Sequence, residues 1–174
     1  MTVERIEPGP GQESVWDYPR PPRVEDVADR VTVVVRGPDG LEHVLADSVR
    51  AKRVLETSQA PAYYLPPEDV ELRLLRPADT TTYCEWKGVA SYVDLVVPAA
   101  GGPPRVVPDV GWRYERPTVG FGAIAGYLAF YAQKAERATV GADVVSPNDG
   151  DFYGGWITPR VVGPFKGGAG TRGW

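Results

Sequence analysis

The chain has 174 residues, 43% of them apolar, which is enough for one ordinary domain with its own core. Its 19 Lys and Arg against 23 Asp and Glu leave a net charge of −4, which argues against a nucleic-acid partner. One Cys and one His exclude an intramolecular disulfide and a four-ligand zinc site within the chain, and no apolar run approaches the roughly 18 residues of a membrane span.

The opening MTVERIEPGPGQESV lacks the apolar region of a secretory signal, so a soluble cytoplasmic protein is expected, with no resident metal or cofactor and no membrane partner. Residues 1–30 form a Pro-rich arm. Pro19, Pro21 and Pro22 hold it extended, and Trp16 and Tyr18 suit an arm laid on its own domain. The body, residues 31–149, begins with VTVVVR, the turn Gly37-Pro38-Asp39-Gly40 and LEHVLA, a β-hairpin pattern. Asp47 or Ser48 can cap a short helix through Leu55, although its apolar face is thin enough for a strand. The alternation in VELRLLR predicts a half-buried strand over 70–76, and TTYCEWKGVASYVDLVV predicts one or two more.

Residues 98–111, with VPAAGGPPR at their centre, read as a loop. The stretch 123–138 fits a helix face through Ile124, Tyr127, Tyr131 and Ala135, yet Tyr127–Tyr131 also fits a strand. ATVGADVV is a short hairpin. Residues 150–174 are rich in glycine but carry Phe152, Tyr153, Trp156, Phe165 and Trp174, which a flexible linker lacks. They are expected to be an ordered tail packed on the body, with Trp156 and Phe165 buried. Trp16–Pro21 and Trp112–Pro117 share W-x-Y-x-R-P, but their flanks do not repeat at a constant offset.

Two motifs bear on chemistry. Gly120–Ala125 matches G-x-G-x-x-G/A with Asp143 about 20 residues on, but no strand leads into it and no βαβ alternation surrounds it. The denser cluster is Tyr83-Cys84-Glu85-Trp86-Lys87-Gly88. On a strand, Tyr83, Glu85 and Lys87 share one face, and Cys84 and Trp86 the other. A bulge at Gly88 is the one feature that would re-aim Lys87. A Glu and a Lys on a solvated face form a surface ion pair; in a cleft they hold a polar ligand or move a proton. Tyr63 and Tyr64 point to opposite faces of an extended segment, so one is expected in the core and one at a site.

VLADSVRAKRVLETSQAPAYYLPPEDV, TYCEWKGVASYVDLVV, GWRYERPTVGFGAIAGYLAFY and GDFYGGWITPRVVGPFKGGAGTRGW together resemble the bacterial domain of unknown function family 427. The core similarity spans Val31 to Val145, and the arm and tail resemble a longer, actinobacterial-type form. The resemblance implies a compact, mainly antiparallel β fold similar to the β-tent group, with at most one or two short helices and residues 127–131 as a strand. Zinc-binding members of that group use paired Cys-x-x-Cys knuckles, which are lacking here. The family pattern has Cys-Pro-aromatic-Lys-Gly where this chain has Cys84-Glu85-Trp86-Lys87-Gly88, so Lys87 carries over and Glu85 does not. No activity comes with the family.

The leading expectation is a small-molecule-binding protein or enzyme, whose catalytic candidates are Lys87 and Glu85. Tyr63, Tyr64, Tyr83, Trp86, Tyr153 and Trp156 are the candidate ligand-binding residues. The rival is a protein-interaction module that uses the Trp/Pro arm and aromatic tail, and a nucleotide-binding enzyme through Gly120–Ala125 stands third. A homodimer is compatible with all three.

Overall fold

A computed structural model describes residues 2–174. In chain order the strands are β1 (Glu13–Ser14), β2 (Arg23–Asp26), β3 (Val31–Arg36), β4 (Glu42–Ser48), β5 (Lys52–Leu55), β6 (Ala62–Tyr64) and β7 (Leu75–Cys84). They continue with β8 (Gly88–Ala99), β9 (Gly102–Arg113), β10 (Leu128–Phe130), β11 (Arg137–Val140), β12 (Asp143–Val144), β13 (Ser146–Pro147), β14 (Trp156–Ile157) and β15 (Val161–Val162). The helical elements among the described residues are single 3₁₀ turns of three residues each. The chain is therefore mainly β, as its runs of valine and its turn-forming residues predict.

Two four-stranded antiparallel sheets dominate, in the orders β10-β9-β8-β7 and β12-β11-β3-β4. A three-stranded sheet, β2-β5-β6, lies beside them, and Leu65, just past β6, is bridged to Leu128 of β10. The β7–β10 sheet divides the interior in two. One face contributes Val93, Leu95, Val97, Leu128 and Phe130 to the main core with the valines of β3. The opposite face carries Ala90, Tyr92, Trp112, Tyr114 and Ala129 into a second, aromatic core with Tyr64 and Tyr131.

Strand alternation alone produces this division: β8 and β9 pair Tyr92 with Trp112 and Val93 with Gly111. Gly111 is bare for a reason. A Cβ there would run into the Ala129 carbonyl and the Phe130 ring.

Three expectations need correction. Residues 98–111 are not a loop: they are the end of β8 and most of β9, joined at Ala100-Gly101. The prolines are accommodated because β10 reaches only Gly111–Arg113 and β7 only as far as Leu95, so Pro98, Pro103, Pro104 and Pro108 lie where one strand edge is unpaired. Residues 70–76 are not one strand. Val70 bridges Ala46, Leu72–Leu74 form a 3₁₀ turn, and the strand starts at Leu75. The chain passes from one sheet to the other here, and the 3₁₀ turn buries Leu74 and leaves Leu72 exposed, where alternation would put both on one face. No helix follows Asp47. Ser48 ends β4, and its hydroxyl accepts the Arg50 amide at 3.0 Å, which turns the chain into β5.

The arm and the tail lie together. β1 pairs in parallel with β15. Val15, Tyr18, Leu55 and Val161 form a third cluster, with Trp16 and Phe165 packed against it. The Trp16 indole donates to the Pro164 carbonyl at 2.8 Å and lies 5.6 Å from the Trp174 ring. Trp156 is almost wholly buried; it donates to the Phe130 carbonyl at 2.8 Å and stacks on Tyr63 at 5.1 Å.

Candidate functional site

The aromatic core does not fill its own volume. A cavity of about 380 Å³ opens between the β7–β8 hairpin, the second face of the sheet and the tail. Tyr64, Tyr92, Trp112, Tyr114 and Tyr131 form its floor. Cys84, Glu85, Trp86 and Lys87 come from the hairpin, and Phe152, Tyr153, Gly154, Gly155 and Lys166 from the tail. Glu56, Gln59 and Thr82 add polar groups.

The floor is built by register. Trp112 on β9 and Tyr114, one residue past its end, pack into the same cluster, and Tyr92 lies directly opposite Trp112. The Trp112 indole donates to the Tyr64 hydroxyl at 3.2 Å and sits 4.8 Å from the Tyr131 ring. The Tyr131 hydroxyl donates to the Phe152 carbonyl at 3.1 Å and lies 3.5 Å from the Tyr92 hydroxyl, which in turn meets Thr82 at 3.2 Å. These contacts fix the ring orientations and tie the tail to the floor. Gly154 lies against the face of Trp112; a Cβ there would collide with the indole. Burial pushes the Tyr64 and Tyr114 hydroxyls up from the ordinary tyrosine range. It does the same for Tyr131, reinforced by the Tyr92 hydroxyl. All three remain phenols at neutral pH and bring no negative charge to the cavity; the Tyr131 proton is committed to the Phe152 carbonyl.

The hairpin positions the charges. β7 stops at Cys84, and Glu85-Trp86-Lys87 form its turn before Gly88, whose φ of +97° marks the return. Tyr83, Glu85 and Lys87 therefore do not share a strand face. The turn re-aims Lys87 inward, while Tyr83 and Glu85 stay exposed at the rim. Thr118 clamps the turn: its amide donates to the Lys87 carbonyl at 3.0 Å, and its hydroxyl to the Trp86 carbonyl. Lys87 is only 9% exposed, and its ammonium lies 5.6 Å from the Tyr114 ring centre. Among the described residues no carboxylate lies within salt-bridge distance of it, so the expected pair with Glu85 does not form. Glu56, the other acid on the cavity, is engaged by Arg20 at 3.4 Å. Lys166 enters from the tail, 5.4 Å from the Tyr153 ring centre.

The family described as a domain of unknown function (DUF427) matches residues 23–141. The chain belongs to this family. No curated protein shows significant similarity to it. The DUF427 match includes the whole floor and the Lys87 hairpin, but it ends before the wall formed by Phe152–Gly155 and Lys166.

Of the expected ligand-binding residues, Tyr64, Tyr83, Trp86 and Tyr153 meet at this cavity with Glu85 and Lys87. Tyr63 and Trp156 do not. They stack on each other in the main core, because β6 turns Tyr63 to the side opposite Tyr64. Tyr92, Trp112, Tyr114 and Tyr131 were missed, although the W-x-Y spacing of 112–114 on a strand was a legible sign of a shared face. Gly120–Ala125 forms a turn and a three-residue 3₁₀ element, with no parallel strand leading into it. The dinucleotide fingerprint therefore lacks the strand–turn–helix it needs.

A second cavity, of about 310 Å³, is lined by Glu13, Glu25, Asp29, Arg53, Tyr63 and Arg160. Its charges satisfy each other: Arg53 pairs with Glu13 and Glu25, and Arg160 with Asp29 and Asp143. Among the described residues no three His, Cys, Asp or Glu side chains converge as a metal-binding group. No helix is long and apolar enough to cross a membrane.

Proposed function

We propose that this chain binds a small molecule with a flat apolar body and an anionic group in the aromatic cavity. One observation carries the reading: the Lys87 side chain is largely covered, and its ammonium stands beside Tyr114 at the wall of an open aromatic cavity, with no carboxylate among the described residues within salt-bridge distance. A cation at the wall of a partly dry cavity, with no carboxylate of the chain to neutralise it, attracts an anion more strongly than one in bulk water. The flat rings of Trp112, Tyr114 and Tyr131 suit a planar body, and the phenols around them supply orienting hydrogen bonds. Lys87 serves as the electrostatic clamp. Glu85, at the rim, is not assigned a role in proton transfer.

The protein-docking alternative is less well supported, because Trp16, Tyr18, Trp156 and Phe165 of the arm and tail pack on each other and on the body.

Titration with 2-naphthoate and 2-naphthol, read by quenching of tryptophan fluorescence, tests the reading, since Trp86 and Trp112 line the cavity. The carboxylate should bind saturably and more tightly than the naphthol. Lys87→Met, which keeps the volume and removes the charge, should weaken it by about tenfold. Equal affinity for the two probes, or an unaffected K87M variant, would remove the anion from the proposal.

A further inference from the structure

Cys84 is the one thiol of the chain, and it stands on the wall of the aromatic cavity. It ends β7. Thr82, two residues earlier, lines the same cavity, so strand alternation sends both side chains to the aromatic face. The thiol is free and only partly covered, and it packs against the ring cluster of the floor. Its pairing with Gly88 closes the turn that carries Lys87, so thiol and ammonium belong to one tight hairpin. Both meet Tyr114. The ammonium lies 5.6 Å from that ring centre. Burial raises the Tyr114 hydroxyl, and the Cys84 side chain adds to the rise, which puts the thiol beside the same residue. Lys87 marks the wall as a place for a ligand independently of the thiol. Its side chain is 9% exposed and lines the cavity, and its ammonium has neither a carboxylate nor a hydrogen-bond acceptor among the described residues.

We propose that Cys84 is a nucleophile of this cavity, which adds to an activated carbon–carbon double bond in a planar anionic ligand drawn in by Lys87. This rests on the reading that the cavity binds a planar anion, and adds a covalent step to it. The sulfur forms a bond to the alkene carbon that carries the anionic group. The π pair of the alkene moves to the neighbouring carbon, which takes up the proton that the thiol gives up. Nothing leaves and no co-reactant is consumed. Addition fits the wall better than acyl transfer, which needs a base to release the acyl group. His43, the only imidazole, lies on β4 in the other four-stranded sheet and does not line the cavity. Of the acids on the cavity, Glu56 is held by Arg20 and Glu85 is exposed at the rim. The ammonium supplies what remains: it raises the local concentration of an anionic electrophile beside the sulfur.

Trans-benzoylacrylate, with a flat aromatic body and a carboxylate on its reactive alkene, and its neutral amide test the step. Adduct formation on the full chain is followed by intact mass, and each rate is divided by that of the same reagent with N-acetylcysteine amide. One adduct should form, placed at Cys84 by peptide mapping. The normalised rate should be about tenfold higher for the carboxylate than for the amide. Saturating 2-naphthoate should slow the carboxylate reaction, and Lys87→Met should bring the normalised ratio to about one. The nucleophile is wrong if the ratio on the unaltered chain is at or below one, or if the adduct sits on another residue. It is equally wrong if saturating 2-naphthoate or K87M leaves the carboxylate preference intact. In each of those cases, quenching of tryptophan fluorescence by 2-naphthoate shows that the anion reading stands without the covalent step. If 2-naphthoate does not bind to the folded protein, both proposals fall. The ratio on the unaltered chain and its suppression by 2-naphthoate need no variant, so a poorly folded K87M leaves the test intact.

Discussion

Gly154 shows how tightly single positions are constrained around the cavity. It approaches Trp112 so closely that no side chain fits between them. Gly154→Ala must move either the tail or the indole, and a cost of about 1–3 kcal/mol is expected, seen as a lowered melting temperature. Tyr64→Phe removes the acceptor of the Trp112 indole and leaves a buried N–H unpaired, at about 1–3 kcal/mol by denaturant unfolding. The buried tyrosines also set an alkaline limit. Burial raises Tyr64, Tyr114 and Tyr131 in the folded chain. The unfolded chain ionises them near pH 10, so above that value it is the unfolded state that gains from losing protons. Stability should therefore be insensitive to these groups below about pH 10 and fall above it. Absorbance of tyrosinate appearing together with loss of near-ultraviolet dichroism, rather than before it, is the expected record.

At the level of elements, the β7–β8 hairpin and the tail decide the site. Gly88 has room for a methyl group, with Thr118 Cγ2 at 3.6 Å, but its φ of +97° is one that side chains rarely adopt. Gly88→Ala should cost about 1–2 kcal/mol and re-aim Lys87, so 2-naphthoate affinity should fall with little change in circular dichroism. Truncation after Gly150 removes Trp156, whose ring is buried against Tyr63, along with one wall of the cavity. Loss of a buried tryptophan costs about 3–5 kcal/mol, enough for a clear drop in melting temperature. An unchanged melt would show that the tail contributes nothing to the body.

Over the whole molecule, the ends of the chain are mutually dependent. Glu13 and Ser14 pair with Val161 and Val162, and Trp16 bonds to Pro164. The arm holds β15, the strand that leads to Lys166. Removal of residues 1–22 should therefore speed amide exchange over 156–166, while 2-naphthoate binding through Lys87 survives. Unaltered exchange in the tail would show that the tail docks without the arm.

Local chemistry made much of this legible. The β3–β4 and β11–β12 hairpins follow from valine runs broken by Gly37–Gly40 and Gly141, because turn residues and β-branched runs act over a few residues. The opposite facing of Tyr63 and Tyr64 was likewise open to reading. What the order of residues could not state is where pairing partners lie. Residues 98–111 look like a loop because four prolines deny hydrogen bonds, and only the lengths of β7 and β10 reveal that those edges are unpaired. Lys87 reads as a strand residue facing Glu85 until pairing of Cys84 with Gly88 makes 85–87 a turn. The cavity itself joins residues from 56 to 166. Strand partners and cavity walls are contacts between distant segments, set by how the sheets stack, so only the tertiary structure decides which side chains meet.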